Sequence, residues 1–381
     1  MPKTYALLST YPPTQCGLAT FSASLFAHLR GPGDHVSVVR VLDESVPEGP
    51  APRAAPEVVC DLVNGSARSA AAAVDVISGF DVAIVQHEYG IYGGPDGGDL
   101  VPLLNALRVP SIVVLHTVLA RPTPRQRTIL DGVIDAASAV VTMTRTARTR
   151  LLDIYGTDPA KVVVIPHGAA DYRIAETPRK AGQPPVVLTW GLLGPGKGIE
   201  HAIDAIALLR DRGLHVAYTV AGQTHPRVQA RDGEAYRRSL EARANGHGVA
   251  DLVRFDARFL PTSALRDLIA AANVVVLPYD SLEQVTSGVL IEAITAGKPV
   301  ISTSFPHAIE VLSGGTGLLV ERQDPAAIAS ALHRVLTEPG LSALMSRQAG
   351  DLAPQLLWPA VARRYRDLAS TVARSRDGAV A

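Results

Sequence analysis

The sequence predicts an α/β protein built from two doubly wound domains in tandem. Three observations carry that expectation. The chain has 381 residues, more than the ~250–300 at which a single core stops growing. Short apolar runs alternate with longer amphipathic segments, the pattern of parallel α/β layers. A polar, proline-bearing stretch, AADYRIAETPRKAGQPP at 169–185, divides the runs into two series.

Taken in order, the first series reads as strands at 4–10, 35–41, 82–87, 111–116, 139–143 and 162–166. Helices are expected between them, for instance from Thr20 to Leu29 and from Thr146 to Tyr155. The second series reads as strands at 186–190, 216–222, 253–257, 274–279 and 299–304. These near-continuous apolar runs suit parallel strands covered on both faces. The expected domains are therefore 1–170 and 186–355, joined by a linker at 171–185. In the tail, Val361, Tyr365, Leu368 and Val372 recur at helical spacing, predicting a helix over 356–375 that crosses back onto the first domain.

Hydrophobic residues make up 47% and charged residues 19% of the chain, enough apolar surface for a large core. The 36 basic and 36 acidic residues cancel, which argues against a nucleic-acid partner held by a broad basic surface. Cys16 and Cys60 are the two cysteines, and without CxxC or Cys/His ligand spacing they predict a reduced, cytoplasmic protein with no structural metal. MPKTYALLSTYPP reads as a first strand rather than a signal peptide. No run approaches the ~18 apolar residues of a membrane helix, which leaves open peripheral contact with a lipid-linked substrate. Oligomeric state is not legible.

Positions 191–200 read GLLGPGKGIE. Gly191, Gly196 and Lys197 fit the phosphate loop G-x-x-x-x-G-K-[ST] until Gly198, which stands where a nucleotide triphosphatase needs a hydroxyl for magnesium. The segment follows a strand and opens a helix with Ile199, Ile203, Ile206 and Leu209 inward. Such a turn offers amides and partial positive charge to an anion. The alternative is a glycine-rich turn with a solvated lysine.

Positions 284–299 read QVTSGVLIEAITAGKP. Thr286, Ser287 and Gly288 suit a helix start, with Val289, Leu290, Ala293 and Ile294 on the buried face. Glu292 lies four residues beyond Gly288, about 6 Å along the axis. Amide donors followed one turn later by a carboxylate match a nucleoside diphosphate whose ribose hydroxyls bond the carboxylate. Alternatively, Glu292 only complements the helix dipole.

In order and spacing, these segments resemble the retaining nucleotide-sugar glycosyltransferases of the GT-B fold, group 1 or family 4 type. That family carries G-R-x-x-x-x-K-G opening its second domain, and two glutamates eight positions apart before A-x-x-x-G-x-P. Gly191 to Gly198 match the first motif; Glu292, Ala293, Gly297 and Pro299 match the end of the second. The resemblance covers nearly the whole chain. It implies two Rossmann-like domains with a cleft between them, and transfer of a hexose from a nucleoside diphosphate sugar to a hydroxyl acceptor with retention, without metal or other cofactor. Donor contacts are then Lys197, Gln284, Thr286, Ser287, Gly288, Val289 and Glu292, with Lys197 neutralising the leaving diphosphate.

PPTQCGLAT at 12–20 resembles the family's first glycine loop and implies that Gly17 faces the donor, though turn chemistry alone would account for it. SIVVLHT ends at His116, where the family has a histidine on the transferred sugar; a capped strand end is the alternative. IPHG and LLWPAVARRYRDL resemble the segments that close the first domain. Acceptor candidates are His87, Glu88 and Tyr89 at a strand's carboxyl end, against ordinary loop polarity. The acceptor class is a sugar, a lipid-linked sugar or a small hydroxyl compound.

Two positions depart from the family. Leu192 replaces its arginine, and Arg145 and Arg258 are the substitutes considered. Gln284 replaces its first glutamate, keeping hydrogen-bonding ability without charge. These departures keep a nucleotide-sugar-binding homologue without transfer activity in view, beside a related sugar phosphorylase or epimerase.

Overall fold

The computed structural model describes residues 3–43, 55–173 and 182–380, with side chains described to residue 375. Residues 174–181 of the expected linker lie outside the described residues. The chain divides into two compact units, Met1–Gly168 with Trp358–Ala381, and Ala169–Leu357.

In the first unit, β1 (Thr4–Ser9), β2 (His35–Leu42), β3 (Val58–Val63), β4 (Val82–His87), β5 (Ser111–Leu115), β6 (Ala139–Thr142) and β7 (Val162–Val164) form a parallel sheet in the order β3-β2-β1-β4-β5-β6-β7. In the second, β8 (Val186–Trp190), β9 (Ala217–Ala221), β10 (Val253–Asp256), β11 (Val274–Leu277), β12 (Val300–Thr303) and β13 (Gly317–Val320) run in the order β10-β9-β8-β11-β12-β13. Each is a doubly wound α/β sheet. The strand order reverses between β1 and β4 and again between β8 and β11, and the carboxyl ends at such switch points are where these sheets hold ligands.

Two strands go beyond the sequence expectation, β3 and β13. β3 is an edge strand whose VVCDLV includes a carboxylate: Asp61 accepts from the buried Arg40 at 2.8 Å. β13 follows a glycine run and is mostly half-buried, so its apolar pattern is short.

The first sheet packs on the helices Gly17–Leu29 and Trp358–Val380. The first of these starts three residues before the expected Thr20, because the Cys16 thiol caps it, accepting from the Ala19 amide at 3.4 Å. Val361 and Tyr365 of the late helix are fully buried beside Phe21, Leu25 and Leu29. Trp358 covers Gly168 so closely that a Cβ there would lie 2.4 Å from the indole. Residues 169–173 lie in the second unit, where Ala169 bridges Leu357 and Tyr172 joins the core with Trp190 and Tyr279. Among the described residues no helix is long and apolar enough to cross a membrane.

Candidate functional site

The second unit gathers both phosphate-binding candidates at its switch point. After β8 the chain turns at Gly191, and a Cβ there would touch Val289 at 3.4 Å, so the two motifs are in contact. Leu193 is held to the segment after β9 by the Leu193 amide on the Gln223 carbonyl and the His225 amide on the Leu193 carbonyl. The Asp280 amide then donates to the Gly196 carbonyl at 2.9 Å, tying the loop to the end of β11.

Gly198 settles what kind of loop this is. It caps the helix Ile199–Asp211 in the left-handed region, with φ 63°. A Cβ at this position would lie 1.9 Å from the Pro278 carbonyl oxygen. Serine or threonine therefore has no room, and the magnesium-binding hydroxyl of a nucleotide triphosphatase loop is sterically excluded. Gly198→Ser is expected to destabilise the second unit by about 3 kcal/mol or more, combining a backbone clash with left-handed strain. Chemical denaturation measures it, and an unchanged midpoint would contradict this packing.

Lys197 is not a solvated lysine. It is half-buried, with Nζ 4.3 Å above the Tyr279 ring. Burial lowers its pKa from 10.5 to about 8, so the ammonium is short of solvation and gains from an anion. Tyr279 is 2% exposed, and Ser287, in the second motif, lies near enough to its hydroxyl to oppose the rise in pKa that burial imposes.

Ser287 caps the helix Gly288–Thr295, its hydroxyl accepting from the Leu290 amide at 3.3 Å. The Ser287 amide donates to His307 Nδ1 at 2.8 Å. Helix geometry then leaves the first-turn amides of Gly288 and Val289 without intrahelical acceptors. The Ser287 amide and hydroxyl, expected on the donor, are thus engaged in shaping the helix start. Thr286 Oγ1 is buried without a hydrogen-bond partner. The Gln284 amide nitrogen donates to the Thr286 carbonyl at 3.2 Å, leaving Oε1 as the end that accepts. Val289 is half-buried, and Ile291 takes the interior place expected for it.

Glu292 lies one turn along, half-buried, with Oε2 accepting from Trp190 Nε1 at 2.9 Å. Burial raises its pKa from 4.5 to about 7, against the lowering effect of the indole bond. Leu192 has no replacement in Arg258, whose guanidinium forms a pair with Asp256 at 2.6 Å.

In the first unit, Gly17 is exposed at the start of its helix, with open space where a Cβ would go. His116 follows β5, and its Nε2 meets Gln86 Oε1 at 2.8 Å. Phe21 stands edge-on to the His116 ring at 4.9 Å. Burial, with His167 and His87 nearby, lowers the His116 pKa to about 3. His116 is consequently neutral at ordinary pH, with Gln86 as its hydrogen-bond partner.

The acceptor candidates are less open than expected. His87 is 1% exposed and stacks edge-on with Tyr89 at 5.2 Å; it sits on a strand covered on both faces, so it is an interior residue. Glu88 is half-buried, accepting from the Thr117 hydroxyl at 2.6 Å and its neighbour's amide at 3.0 Å. The Tyr89 hydroxyl is buried near Tyr155. Trp190, Tyr279, His307 and Gln86 were not singled out from the sequence as site residues. Their partners lie 20 to 102 positions away. The local signal at Trp190, Tyr279 and Gln86 is an aromatic or polar residue at the end of an apolar strand, and His307, on the helix Pro306–Leu312, carries none.

Among the described residues no group of three or more His, Cys, Asp or Glu could hold a metal ion. Comparison with known proteins bears on both units. Residues 16–171 match the family model described as Glycosyltransferase Family 4, and residues 184–338 match Glycosyl transferases group 1. A D-inositol 3-phosphate glycosyltransferase of Acidothermus cellulolyticus is 34% identical over 66% of this chain and 59% of its own length. One from Geodermatophilus obscurus is 31% identical over 71% of this chain and 64% of its own length. The match thus spans about three-fifths of these relatives. Among solved structures, Anabaena HepE in complex with UDP and glucose aligns with TM-score 0.74 at 17% identity, over 96% of this chain and 99% of that one. Sucrose-phosphate synthase of Thermosynechococcus elongatus aligns with TM-score 0.78 at 19% identity, over 98% and 100%. At these identities the structures establish a shared GT-B fold.

Proposed function

We propose, from the premise that this chain belongs to the group 1 and family 4 glycosyltransferases, that it is an enzyme moving a hexose from a nucleoside diphosphate sugar to a hydroxyl acceptor with retention. The observation that carries the reading is the placement of Lys197 over Tyr279, with its loop tied to Asp280 and set against Val289 of the helix bearing Glu292. It offers one cation and first-turn amides for a diphosphate, with a carboxylate for ribose hydroxyls one turn on. The diphosphate needs most stabilisation as it departs, and preorganised donors supply it there. Lys197 and the helix amides would take the developing charge with no metal. Family resemblance supports front-face attack by the acceptor, assisted by the leaving phosphate.

Neighbours of this fold include a complex with UDP and glucose, which makes UDP-glucose the first donor to test. Relatives named for D-inositol 3-phosphate support a polyol acceptor. A thermal-shift panel of nucleotide sugars tests donor binding, because a ligand at 100 times its Kd stabilises by about 2.7 kcal/mol. No shift with any nucleotide sugar would remove the reading.

Leu192 and Gln284 favour a second reading, a binding protein without turnover. Gln284→Glu separates the two. If Gln284 Oε1 accepts from the donor sugar, a charged acceptor strengthens that bond from about 0.5–1.5 to about 1.5–3 kcal/mol. Donor preference or turnover should change while bare nucleoside diphosphate binds as before. Transfer that appears only in the variant would favour the binding protein.

A further inference from the structure

The interior stripe of the first sheet changes chemistry at its carboxyl end. On β4, Val82 and Ile84 face the core beneath the helices, and on β5, Ile112 and Val114 do the same. Side chains alternate along a strand, so the next residues on that face are Gln86 and His116. Both stripes therefore turn polar together at the carboxyl end of the sheet. Gln86 is 0% exposed, and its Oε1 meets His116 Nε2 at 2.8 Å. Its other end, Nε2, is buried without a hydrogen-bond partner. Such an orphan donor is destabilising, and leucine at this position would continue the stripe. Something other than packing accounts for an amide here.

We infer that Gln86 is a positioning residue: by accepting from Nε2–H it fixes His116 in one tautomer and one orientation, so that Nδ1 is presented as a neutral acceptor for a hydroxyl of the transferred sugar. An imidazole offers one donor and one acceptor when neutral, and the bond made by one nitrogen decides the role of the other. Phe21, edge-on at 4.9 Å, limits rotation of the ring. Of the ionisable groups, His167, beside Phe21 on the same face, and His87, across the sheet, both oppose protonation of His116. Gln86, being uncharged, adds orientation without drawing a proton onto the ring. The part of this inference that concerns the sugar rests on the reading of His116 given above; the part that concerns the tautomer does not.

Two variants test it, each by nitrogen NMR of the imidazole and by steady-state kinetics. In the parent, His116 should show a protonated Nε2 and a bare Nδ1, with no titration above pH 5. Gln86→Leu should fold at least as stably as the parent, lose the fixed tautomer, and lower kcat about tenfold or more with KM for the donor little changed. Gln86→Glu should restore the tautomer while lifting the His116 titration toward neutrality, so that turnover falls on the acid side where the parent is flat. A His116 tautomer unchanged in Gln86→Leu would overturn the inference whatever the kinetics. A changed tautomer with kcat unaltered would also overturn the positioning role, and would locate the failure in the assignment of His116 to the sugar. A melting temperature that drops sharply in Gln86→Leu, with activity per folded molecule intact, would make Gln86 structural and overturn it equally.

Discussion

Lys197→Ala is expected to lower turnover by about 10²–10³-fold, the range found when one preorganised donor to a developing anion is removed. Lys197 supplies a cation whose Nζ is held over the Tyr279 ring and whose burial lowers its pKa to about 8. A partly desolvated ammonium interacts with a diphosphate more strongly than one in water. Its folded-state pKa lies below the ordinary 10.5, so below about pH 8 the buried charge costs stability in the free protein. Removing it should leave the melting temperature at pH 7 unchanged or higher. A surface lysine would behave differently, with no gain in stability and only a modest loss of rate. Turnover with the identified donor, beside a melting curve, is the measurement. Activity within twofold of the parent would take Lys197 out of the mechanism.

Glu292→Gln is expected to weaken donor binding by about 10-fold or more, because a charged acceptor for ribose hydroxyls becomes neutral. The same substitution should stabilise the free protein, with a definite pH dependence. Burial raises the Glu292 pKa from 4.5 to about 7, so the folded protein holds a proton that the unfolded chain has released across that interval. Stability is then lost as pH rises from about 4.5 to 7 and stays lower above it. The cost of the ionised form is on the order of 3 kcal/mol, and the variant should escape it at pH 8 while matching the parent near pH 4. Donor hydroxyls select the ionised carboxylate, whereas the diphosphate selects protonated Lys197. Affinity should therefore be highest between about pH 7 and 8, with Glu292→Gln removing the acid limb. Titration calorimetry across pH measures both effects. A variant that binds donor as the parent does would return Glu292 to the role of a helix-dipole partner.

Much of the fold was legible because parallel strands covered on both faces write themselves as unbroken apolar runs, as in β4, β5 and β11. β3 escaped because Asp61 interrupts its pattern, and the reason an edge strand tolerates it is Arg40 on β2. The site was legible where chemistry is local: a glycine turn opening a helix, and a carboxylate one turn into the next. It was obscure where a partner comes from elsewhere. Gly198 reads as a failed phosphate loop until the Pro278 carbonyl is seen to occupy the space of its missing side chain. His87 and Gln86 are adjacent and both polar. The sequence reading took the histidine for an acceptor contact, whereas strand alternation places the glutamine against His116 and buries the histidine on the opposite face.

What the loop at 191–198 holds is asked directly by titration of the protein with UDP-glucose and with ATP, each with magnesium and with a chelator. The nucleotide sugar is expected to bind equally well with the chelator present, binding to weaken at least tenfold in Lys197→Ala, and ATP not to be hydrolysed. Magnesium-dependent ATP hydrolysis, with nucleotide-sugar binding that is absent or indifferent to Lys197, would contradict that expectation.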